Sequence, residues 1–311
     1  MLPFFKLIRI QNLFIIAVTQ YLFRYAILIP VMNFEHINPM LSHFNFALLV
    51  LSTILVAAAG YAINDYFDLR IDRINKNNRN VVGKNFSRRT VIKFHFALNI
   101  VAIILGTWVS YKAGSLKLAT INIVMATLLW MYSVKYKAYF LVGNMLIAFS
   151  TAMTIIVVWL FDTIAINKAG MIIINYSHLL NILIWLFVGF AFVISMIREI
   201  IKDVEDFEGD KKVGCSTIPV VIGINKTKYL LIALTSLSVL ALSFIDFKVY
   251  RTFGLNFPFW YIAVAVVLPF IYLLYTTIKA KEKEDYSFMS RVTKFLMLAG
   301  VLSMTFIFLK F

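Results

Sequence analysis

Stretches of about 20 apolar residues recur along this chain of 311 residues, with short polar connections between them. An α-helix needs about this length and composition to cross a bilayer. They predict an all-α polytopic membrane protein with about nine transmembrane helices. Because no connection resembles a soluble domain, residues 1–311 are expected to form a single membrane-embedded domain. The predicted helices cover roughly 10–32, 44–66, 91–110, 116–132, 140–161, 179–200, 228–246, 258–278 and 291–309.

Charge and composition agree with this class. The chain is 61% hydrophobic and 14% charged, whereas globular proteins are about 25% charged. The net charge of +15 is concentrated before the first predicted helix and after helices two, four, six and eight. By the positive-inside rule, the N-terminus and these connections face the cytoplasm. The basic residues therefore indicate topology and contact with membrane lipid, and no nucleic-acid partner is expected. We expect an integral protein of the cell (inner) membrane.

Two acidic clusters follow apolar helices on the predicted cytoplasmic side. In each, the polar side chains recur at three- or four-residue spacing, which places them along one helical face. Like charges at this spacing repel unless a cation lies between them, so the two faces are expected to converge on one acidic hollow. The first cluster contains Asn64, Asp65, Asp68 and Asp72, and the second contains Asp203, Asp206 and Asp210.

The ligand types in these clusters narrow the choice of cation. All are carboxylate or amide oxygens without nearby Cys or His, which suits Mg²⁺, with Mn²⁺ and Ca²⁺ as alternatives. Arginines and lysines alternate with the acids, and such a mixture fits a metal-bound diphosphate. The alternative is that the charges only cap helix ends in water. We prefer that reading for Glu205 and Glu208, which lie off the acidic face.

Several segments resemble the UbiA superfamily of intramembrane prenyltransferases. The segment NDYFDLRID, Asn64–Asp72, resembles the first aspartate motif of that family, and DVEDFEGD, Asp203–Asp210, resembles the second. The match is specific because both motifs occur with the expected number of helices. Further similar segments are RIQN at Arg9–Asn12, YSVKYK at Tyr132–Lys137, and the pair Gly143 and Asn144.

The resemblance implies a helical bundle around a central cavity that the two motifs cap on the cytoplasmic side. Mg²⁺ would hold the diphosphate of an isoprenyl donor, whose tail would lie in an apolar tunnel. Departure of the diphosphate would leave a cation-like allylic carbon, which a nucleophile on a lipophilic acceptor would capture. Water must be excluded because it would capture the same carbon.

The resemblance also implies a role for each matching residue. The metal ligands would be Asn64, Asp68, Asp72, Asp203, Asp206 and Asp210, with Asp65 either a ligand or a residue behind the ligands. The catalytic residues would be Asp68, Asp72, Asp206, Asp210 and Tyr132, the last lining the reacting end of the pocket. The substrate would contact Arg79, Lys137, Arg198 and Lys202. Asn12 and Asn144 would hydrogen-bond its head group or orient a ligand side chain. For the Asn and Tyr side chains, a purely interhelical hydrogen bond is the alternative.

The acceptor is the least constrained part of the prediction. The segment REIIKDVEDFEGDKKVG resembles the branch that transfers a geranylgeranyl group to geranylgeranylglycerol phosphate, and Lys202, Lys211 and Lys212 suit a phosphorylated acceptor. An aromatic acceptor, 4-hydroxybenzoate or dihydroxynaphthoate, is the alternative. After the first motif, NKNNRN has Asn77 and Asn80 where relatives carry proline, so a looser loop is expected, although Arg79 is retained.

A cation-coupled transporter is the alternative from another class of protein. It would need ionisable residues near the centres of its membrane helices. The predicted helix centres are almost free of charge, with Arg24 as the main exception. The sequence therefore favours the enzyme.

Overall fold

The computed structural model describes residues 2–34, 41–69, 81–168, 178–254 and 256–308. Two predicted site residues, Asp72 and Arg79, lie outside these ranges, as does the loop 75–80. The described residues are overwhelmingly helical, and their only β-type pairing is an isolated bridge between Val82 and Phe86.

The helices follow one another with short connections. Several long helices are continued by a short one, and two contain a turn of π-helix, at Phe23–Leu28 and Ala263–Val267. The α-helices are α1 (Leu2–Leu7), α2 (Ile10–Leu22), α3 (Ile29–Phe34), α4 (His43–Phe67), α5 (Arg88–Lys112), α6 (Ala119–Val134), α7 (Val142–Lys168), α8 (His178–Glu205), α9 (Phe207–Val213), α10 (Ile218–Ile222), α11 (Ile224–Phe253), α12 (Asn256–Ile262), α13 (Leu268–Lys279), α14 (Lys283–Leu302) and α15 (Met304–Phe308).

Eight segments of the described chain are long and apolar enough to cross a membrane. They run over Ile10–Asn33, His43–Phe67, Arg88–Lys112, Leu116–Val134, Val142–Ile164, Leu180–Glu205, Ile224–Thr252 and Asn256–Lys279. The predicted all-α polytopic membrane class is confirmed, and the predicted count of about nine agrees with these eight. The ninth predicted span, 291–309, falls on α14 and α15, which carry more polar residues.

The chain divides into two compact units, with one boundary before α7, one within α7 and one within α8. One unit comprises Met1–Lys137 with Met153–Leu186, and the other Ala138–Ala152 with Phe187–Phe311. The single domain over 1–311 stays a prediction.

Close packing in the first unit centres on α4, whose last turn carries Asn64 and Asp65 and whose C-cap is Asp68. Gly60 lies so close to α6 that an added Cβ would stand 2.8 Å from Cδ1 of Leu129. Ala58 and Ala59 are buried beside it. Small residues allow such close approach between membrane helices. Ser42 begins the helix as an N-cap, since its hydroxyl accepts a hydrogen bond from the Asn45 N–H at 3.2 Å.

In the second unit, the last turns of α8 pack one face into an apolar core. Ile194, Ile197 and Ile201 stand at i, i+3 and i+7 and are fully buried in a cluster that includes Phe270 and Leu296. Burial of this stripe leaves a different face of α8 for the polar residues of the second acidic cluster.

Arg24, the charged exception that the sequence analysis named among the helix centres, has a buried partner. Asp162 lies inside the fifth apolar segment, where its carboxylate pairs with the guanidinium of Arg24 at 2.9 Å, and both side chains are 1% exposed. The Nη2 atom of Arg24 also donates to the carbonyl of Leu41. The predicted fifth helix ended at residue 161, whereas α7 continues through Asp162, since the ion pair satisfies a charge that would otherwise be costly in lipid. Asp246 is a further buried carboxylate, within the seventh segment.

Candidate active site

The first acidic cluster holds Asp68 between an amide and an ammonium group. Asn64 and Asp68 lie one helical turn apart, and the Nδ2 of Asn64 donates to Oδ2 of Asp68 at 2.7 Å. The Nζ of Lys137 contacts the other oxygen of the same carboxylate. The contact between Asn64 and Asp68 agrees with the shared face predicted for them. The structure also brings Lys137 to the first motif, while the predicted contact of Lys137 with the diphosphate stays a prediction.

The Oδ1 atom of the Asn64 amide indicates that a further partner binds at this site. Because Nδ2 must be the atom that donates to the carboxylate, Oδ1 is the atom that faces elsewhere. This oxygen is buried and accepts no hydrogen bond from the residues that the structure describes. Buried polar atoms are nearly always satisfied, so an oxygen in this position calls for a further partner.

The other carboxylate of the first cluster is held by the chain segment that precedes α2. The Nη2 of Arg9 donates to Oδ1 of Asp65 at 2.9 Å, and its guanidinium lies 4.9 Å from the ring centroid of Tyr61. Asn12 donates to the hydroxyl of Tyr61 at 3.2 Å. Of the two predicted roles of Asp65, its contact with Arg9 favours a position behind the ligands. For Asn12, the contact observed is the interhelical alternative.

Arg9 is positioned by unusual backbone geometry. It has φ 51° and stands at the N-cap of α2, a left-handed conformation that is uncommon outside glycine. Burial acts to lower the pKa of the Arg9 guanidinium. The nearby Asp65, and then Tyr61 and Asp68, act in the opposite direction and raise this pKa overall. Arg9 thus remains a fixed positive charge beside the first cluster.

In the second acidic cluster, neutral donors hold the carboxylates. The Nδ2 of Asn144 donates to Oδ2 of Asp203 at 2.7 Å, and the hydroxyl of Thr217 donates to Oδ2 of Asp210 at 3.1 Å. Leu141, three residues before Asn144, has φ 63° and is, with Arg9, one of the two described non-glycine residues with positive φ. The prediction that Asn144 orients a ligand side chain is consistent with its contact to Asp203.

The sequence spacing predicted that the second cluster lies on one continuous helix, and this prediction was wrong. Helix α8 ends at Glu205 and α9 begins at Phe207, so Asp203 and Asp210 belong to different helices. At the junction, the carbonyl of Asp206 accepts hydrogen bonds from Gly209 and Asp210, both at 3.1 Å. Gly209 disfavours an uninterrupted helix here. Asp210 is nevertheless an electrostatic neighbour of Asp203.

Both predicted cations of the second cluster contact a residue that the sequence interpretation overlooked. The Nη1 of Arg198 and the Nζ of Lys202 donate to Oε1 of Glu199 at 2.9 and 3.0 Å. Glu199 is buried and also neighbours Asp203 electrostatically. It stands four residues before Asp203, so the helical spacing applied to the aspartates would have found it.

The donors of both clusters suit a hard divalent cation. The carboxylates and the unsatisfied Asn64 Oδ1 form an oxygen-only set, and each carboxylate oxygen has a second lone pair beside the hydrogen bonds described. Within the described ranges, no three Asp, Glu, His or Cys residues already form a metal centre. Asp72, the remaining predicted ligand of the first cluster, lies outside those ranges. The predicted metal set therefore stays a prediction that this chemistry fits.

Comparison with known proteins supports the same interpretation. The model of the UbiA prenyltransferase family matches residues 34–299. The chain belongs to the UbiA prenyltransferase family. The predicted family and enzyme class are confirmed, and this UbiA prenyltransferase is an integral membrane protein.

Curated relatives of this UbiA prenyltransferase include several digeranylgeranylglyceryl phosphate synthases. The protein of Methanococcoides burtonii is 31% identical over 85% of this chain and 84% of its own length. That of Thermococcus gammatolerans is 30% identical over 74% of each chain, and that of Methanosphaera stadtmanae is 28% identical over 81% of this chain and 84% of its own.

Solved structures show the same fold. A structure of digeranylgeranylglyceryl phosphate synthase is 26% identical, covers 97% of this chain and 98% of its own, and has a TM-score of 0.60. A UbiA homologue from Archaeoglobus fulgidus bound to DMAPP and Mg²⁺ is 15% identical, with a TM-score of 0.60 over 97% of this chain and 98% of its own. The second likeness concerns the fold alone.

The roles of individual side chains stay predictions. The structure brings Asn64, Asp68 and Lys137 together, and it separately brings Asn144 to Asp203. Tyr132 lies half-buried in the last turn of α6. Glu199, Thr217 and Tyr61 are the neighbours that sequence reasoning missed, and only Glu199 had a spacing that would have revealed it.

Proposed function

We propose that this UbiA prenyltransferase transfers a geranylgeranyl group from its diphosphate to geranylgeranylglycerol phosphate, as a step of membrane lipid biosynthesis. The observation that carries the proposal is the contact of Asp68 with both Asn64 and Lys137. It joins hard oxygen ligands to a cation, which is the donor set that a metal-bound diphosphate requires. The names of the curated relatives support this choice of substrates.

The metal ligands we propose are Asn64, Asp68, Asp72, Asp203, Asp206 and Asp210, and the ion is Mg²⁺. Held by these residues, Mg²⁺ would supply positive charge that stabilises the departing diphosphate. In the first cluster, Lys137 supplies a positive charge to the same leaving group, and Asp65 holds Arg9 beside it. Arg198 contributes a planar guanidinium from the second cluster, and Arg79 has the same assignment from the sequence alone.

The reaction exchanges one C–O bond for another. The bond between the allylic carbon and the diphosphate breaks, and the hydroxyl oxygen of the acceptor bonds to that carbon and loses its proton. Tyr132 is proposed to line the reacting end of the pocket, where it would exclude water from the cation-like carbon. Asn12 and Asn144 hold Tyr61 and Asp203 in place.

We also propose that the acidic clusters face the cytoplasm of the cell membrane. The proposal is supported by the concentration of lysine and arginine at the N-terminus and after the second, fourth, sixth and eighth predicted membrane spans.

The test uses the purified protein in lipid nanodiscs with labelled geranylgeranyl diphosphate. Geranylgeranylglycerol phosphate, 4-hydroxybenzoate and dihydroxynaphthoate are supplied separately, each with Mg²⁺ and with EDTA. We expect a prenylated product from geranylgeranylglycerol phosphate alone, and we expect EDTA to abolish it. A product from an aromatic acceptor instead would retain the prenyl transfer and overturn the acceptor.

Binding of the donor is measured on the same samples. Donor binding that requires Mg²⁺, without turnover of the three acceptors, would mean that the acceptor is another compound. No Mg²⁺-dependent binding by folded protein would overturn the proposed donor and metal together. Glu208→Gln serves as a control protein in both measurements, because Glu208 is an exposed carboxylate near the second cluster and its loss should change neither.

A further inference from the structure

Two cations share one buried carboxylate oxygen near the end of α8. Arg198 Nη1 and Lys202 Nζ both donate to Oε1 of Glu199, at 2.9 and 3.0 Å. Glu199 is only 8% exposed. The trio itself contains two positive charges and one negative charge, and Asp203 is a further electrostatic neighbour of Glu199 and Lys202.

The contact between Arg198 and Glu199 requires a particular side-chain path. Consecutive residues of an α-helix point in directions about 100° apart, so neighbours do not normally face each other. Arg198 therefore bends around the helix to reach Glu199. Lys202 is three residues further on and reaches the same oxygen from the next turn. Glu199 thereby gathers both cations on the face that also carries Asp203.

One donor of the gathered guanidinium has no protein acceptor. The Nε of Arg198 is buried and donates to no residue among those that the structure describes. Nearly all buried donors in native proteins are hydrogen-bonded. The planar guanidinium presents several N–H groups, which match the several oxygens of a phosphate better than a single neutral acceptor.

We propose that Glu199 is a positioning residue that assembles Arg198 and Lys202 into a clamp for a phosphate group of a substrate. The inference rests on the proposed function, because both substrates named there carry phosphate. A carboxylate among phosphate-binding cations would weaken binding by repulsion if it did nothing else. Glu199 would instead strengthen binding by holding the flexible side chains of Arg198 and Lys202 at a fixed distance from each other before the substrate binds.

The test compares Glu199→Gln and Glu199→Ala with the wild-type enzyme. Removal of the carboxylate releases both cations, so the KM of one phosphorylated substrate should rise about 10- to 100-fold in Glu199→Ala. The rise should be smaller in Glu199→Gln, which keeps an acceptor oxygen, and kcat should change less than KM in both. Glu208→Gln and Glu208→Ala make the same changes at an exposed carboxylate and should leave both KM values unaltered.

The source of the phosphate is identified by varying the acceptor. If the clamp holds the acceptor phosphate, the effect of Glu199→Ala disappears when geranylgeranylglycerol without phosphate is supplied. If the clamp holds the donor, the KM of geranylgeranyl diphosphate rises with either acceptor. Either pattern supports the clamp. A fall in KM, or a loss of kcat with both KM values unchanged, would overturn it.

A binding experiment separates this inference from the proposed function. Calorimetric titration of the same proteins with pyrophosphate and with inorganic phosphate needs no turnover. Weaker binding of either anion by both Glu199 variants, with thermal unfolding unchanged for Glu199→Gln, supports the clamp even if prenyl transfer fails. Equal binding by wild type and variants would overturn the clamp, whatever the reaction is.

Discussion

The two acidic clusters both follow an apolar helix, yet their cations come from opposite sources. In the first, the cations are distant in sequence: Arg9 is 56 residues from Asp65, and Lys137 is 69 residues from Asp68. In the second, Arg198 and Lys202 belong to the same helix as Asp203 and contact the nearby Glu199. The charge balance of the first cluster therefore depends on tertiary packing, whereas that of the second is largely set within one helix.

The carboxylates differ in the same way. Asp65 and Asp68 contact cations directly, while Asp203 and Asp210 accept hydrogen bonds from the neutral side chains of Asn144 and Thr217. In the contacts described, the first two carboxylates meet cations, whereas the second two accept hydrogen bonds from neutral donors, with Lys202 as a further electrostatic neighbour of Asp203. Substitutions should therefore affect the first cluster through lost pairing and the second through altered orientation.

The largest effect is expected when a ligand carboxylate is neutralised in either cluster. Asp68→Asn and Asp206→Asn should each lower kcat by about 10²- to 10³-fold, because each removes a proposed ligand of the Mg²⁺ that would stabilise the leaving diphosphate. The measurement is product formation from labelled donor at saturating Mg²⁺. Activity within tenfold of wild type for one variant would restrict the essential chemistry to the other cluster.

Next in size is the effect of breaking the distant ion pair of the first cluster. Arg9→Ala and Asp65→Asn should each lower kcat/KM about tenfold, and the double variant should be little worse than either alone. Non-additivity follows because both substitutions remove the same contact. Lys93→Ala, at an exposed lysine of α5 with no assigned role, is the control. Fully additive losses would show that Arg9 and Asp65 act independently.

A smaller effect is expected from the neutral donor of the second cluster. Thr217→Val keeps the shape of this buried side chain but removes the hydroxyl that donates to Asp210, so kcat should fall about three- to tenfold. Thr217→Ser keeps the hydroxyl and should retain more activity than Thr217→Val. If serine and valine are equivalent, orientation of Asp210 by Thr217 does not matter to the reaction.

The smallest effect concerns a carboxylate outside both clusters, at the start of α14. Asp285 accepts hydrogen bonds from the backbone N–H groups of Lys281 and Glu282, and these lower its pKa below the ordinary value of 3.8. A lowered pKa means that the stabilisation is present above pH 3.8 and is lost as the pH falls through the lower, folded-state value.

Asp285→Ala should therefore lower Tm by about 1–2 °C at pH 7. Its difference from wild type should shrink as the pH falls below 3.8, which thermal scans at several pH values would detect. A difference that is constant with pH would mean that the ionised carboxylate is not the cause. Kinetic constants should be unaltered, in contrast to every substitution in the two clusters.

Much of the fold follows from the sequence because the membrane imposes helix length. The predicted span 44–66 compares with His43–Phe67, and 258–278 with Asn256–Lys279. The one-turn contact between Asn64 and Asp68 also follows from helical spacing alone. In these cases, the physical cause is local or is imposed by the bilayer.

Other features depend on contacts that spacing does not encode. The break at Asp206 was missed because Asp203, Asp206 and Asp210 keep helical spacing across it. Glu199 had the right spacing, but it lies before the segment Asp203–Asp210 to which the spacing was applied. The partnership of Arg9 with Asp65 joins segments far apart in the chain, and its left-handed backbone conformation has no glycine to indicate it.

The buried pair of Arg24 and Asp162 has a consequence for how the protein is made. The two residues are 138 positions apart, so at about 5–20 residues per second the arginine waits roughly 7–28 s for its carboxylate to be synthesised. During that interval, an arginine in the centre of a membrane helix costs about 2.5–3.5 kcal/mol on insertion scales. Insertion of the first membrane span is therefore energetically unfavourable at Arg24 until α7 has been synthesised and Asp162 pairs with the arginine.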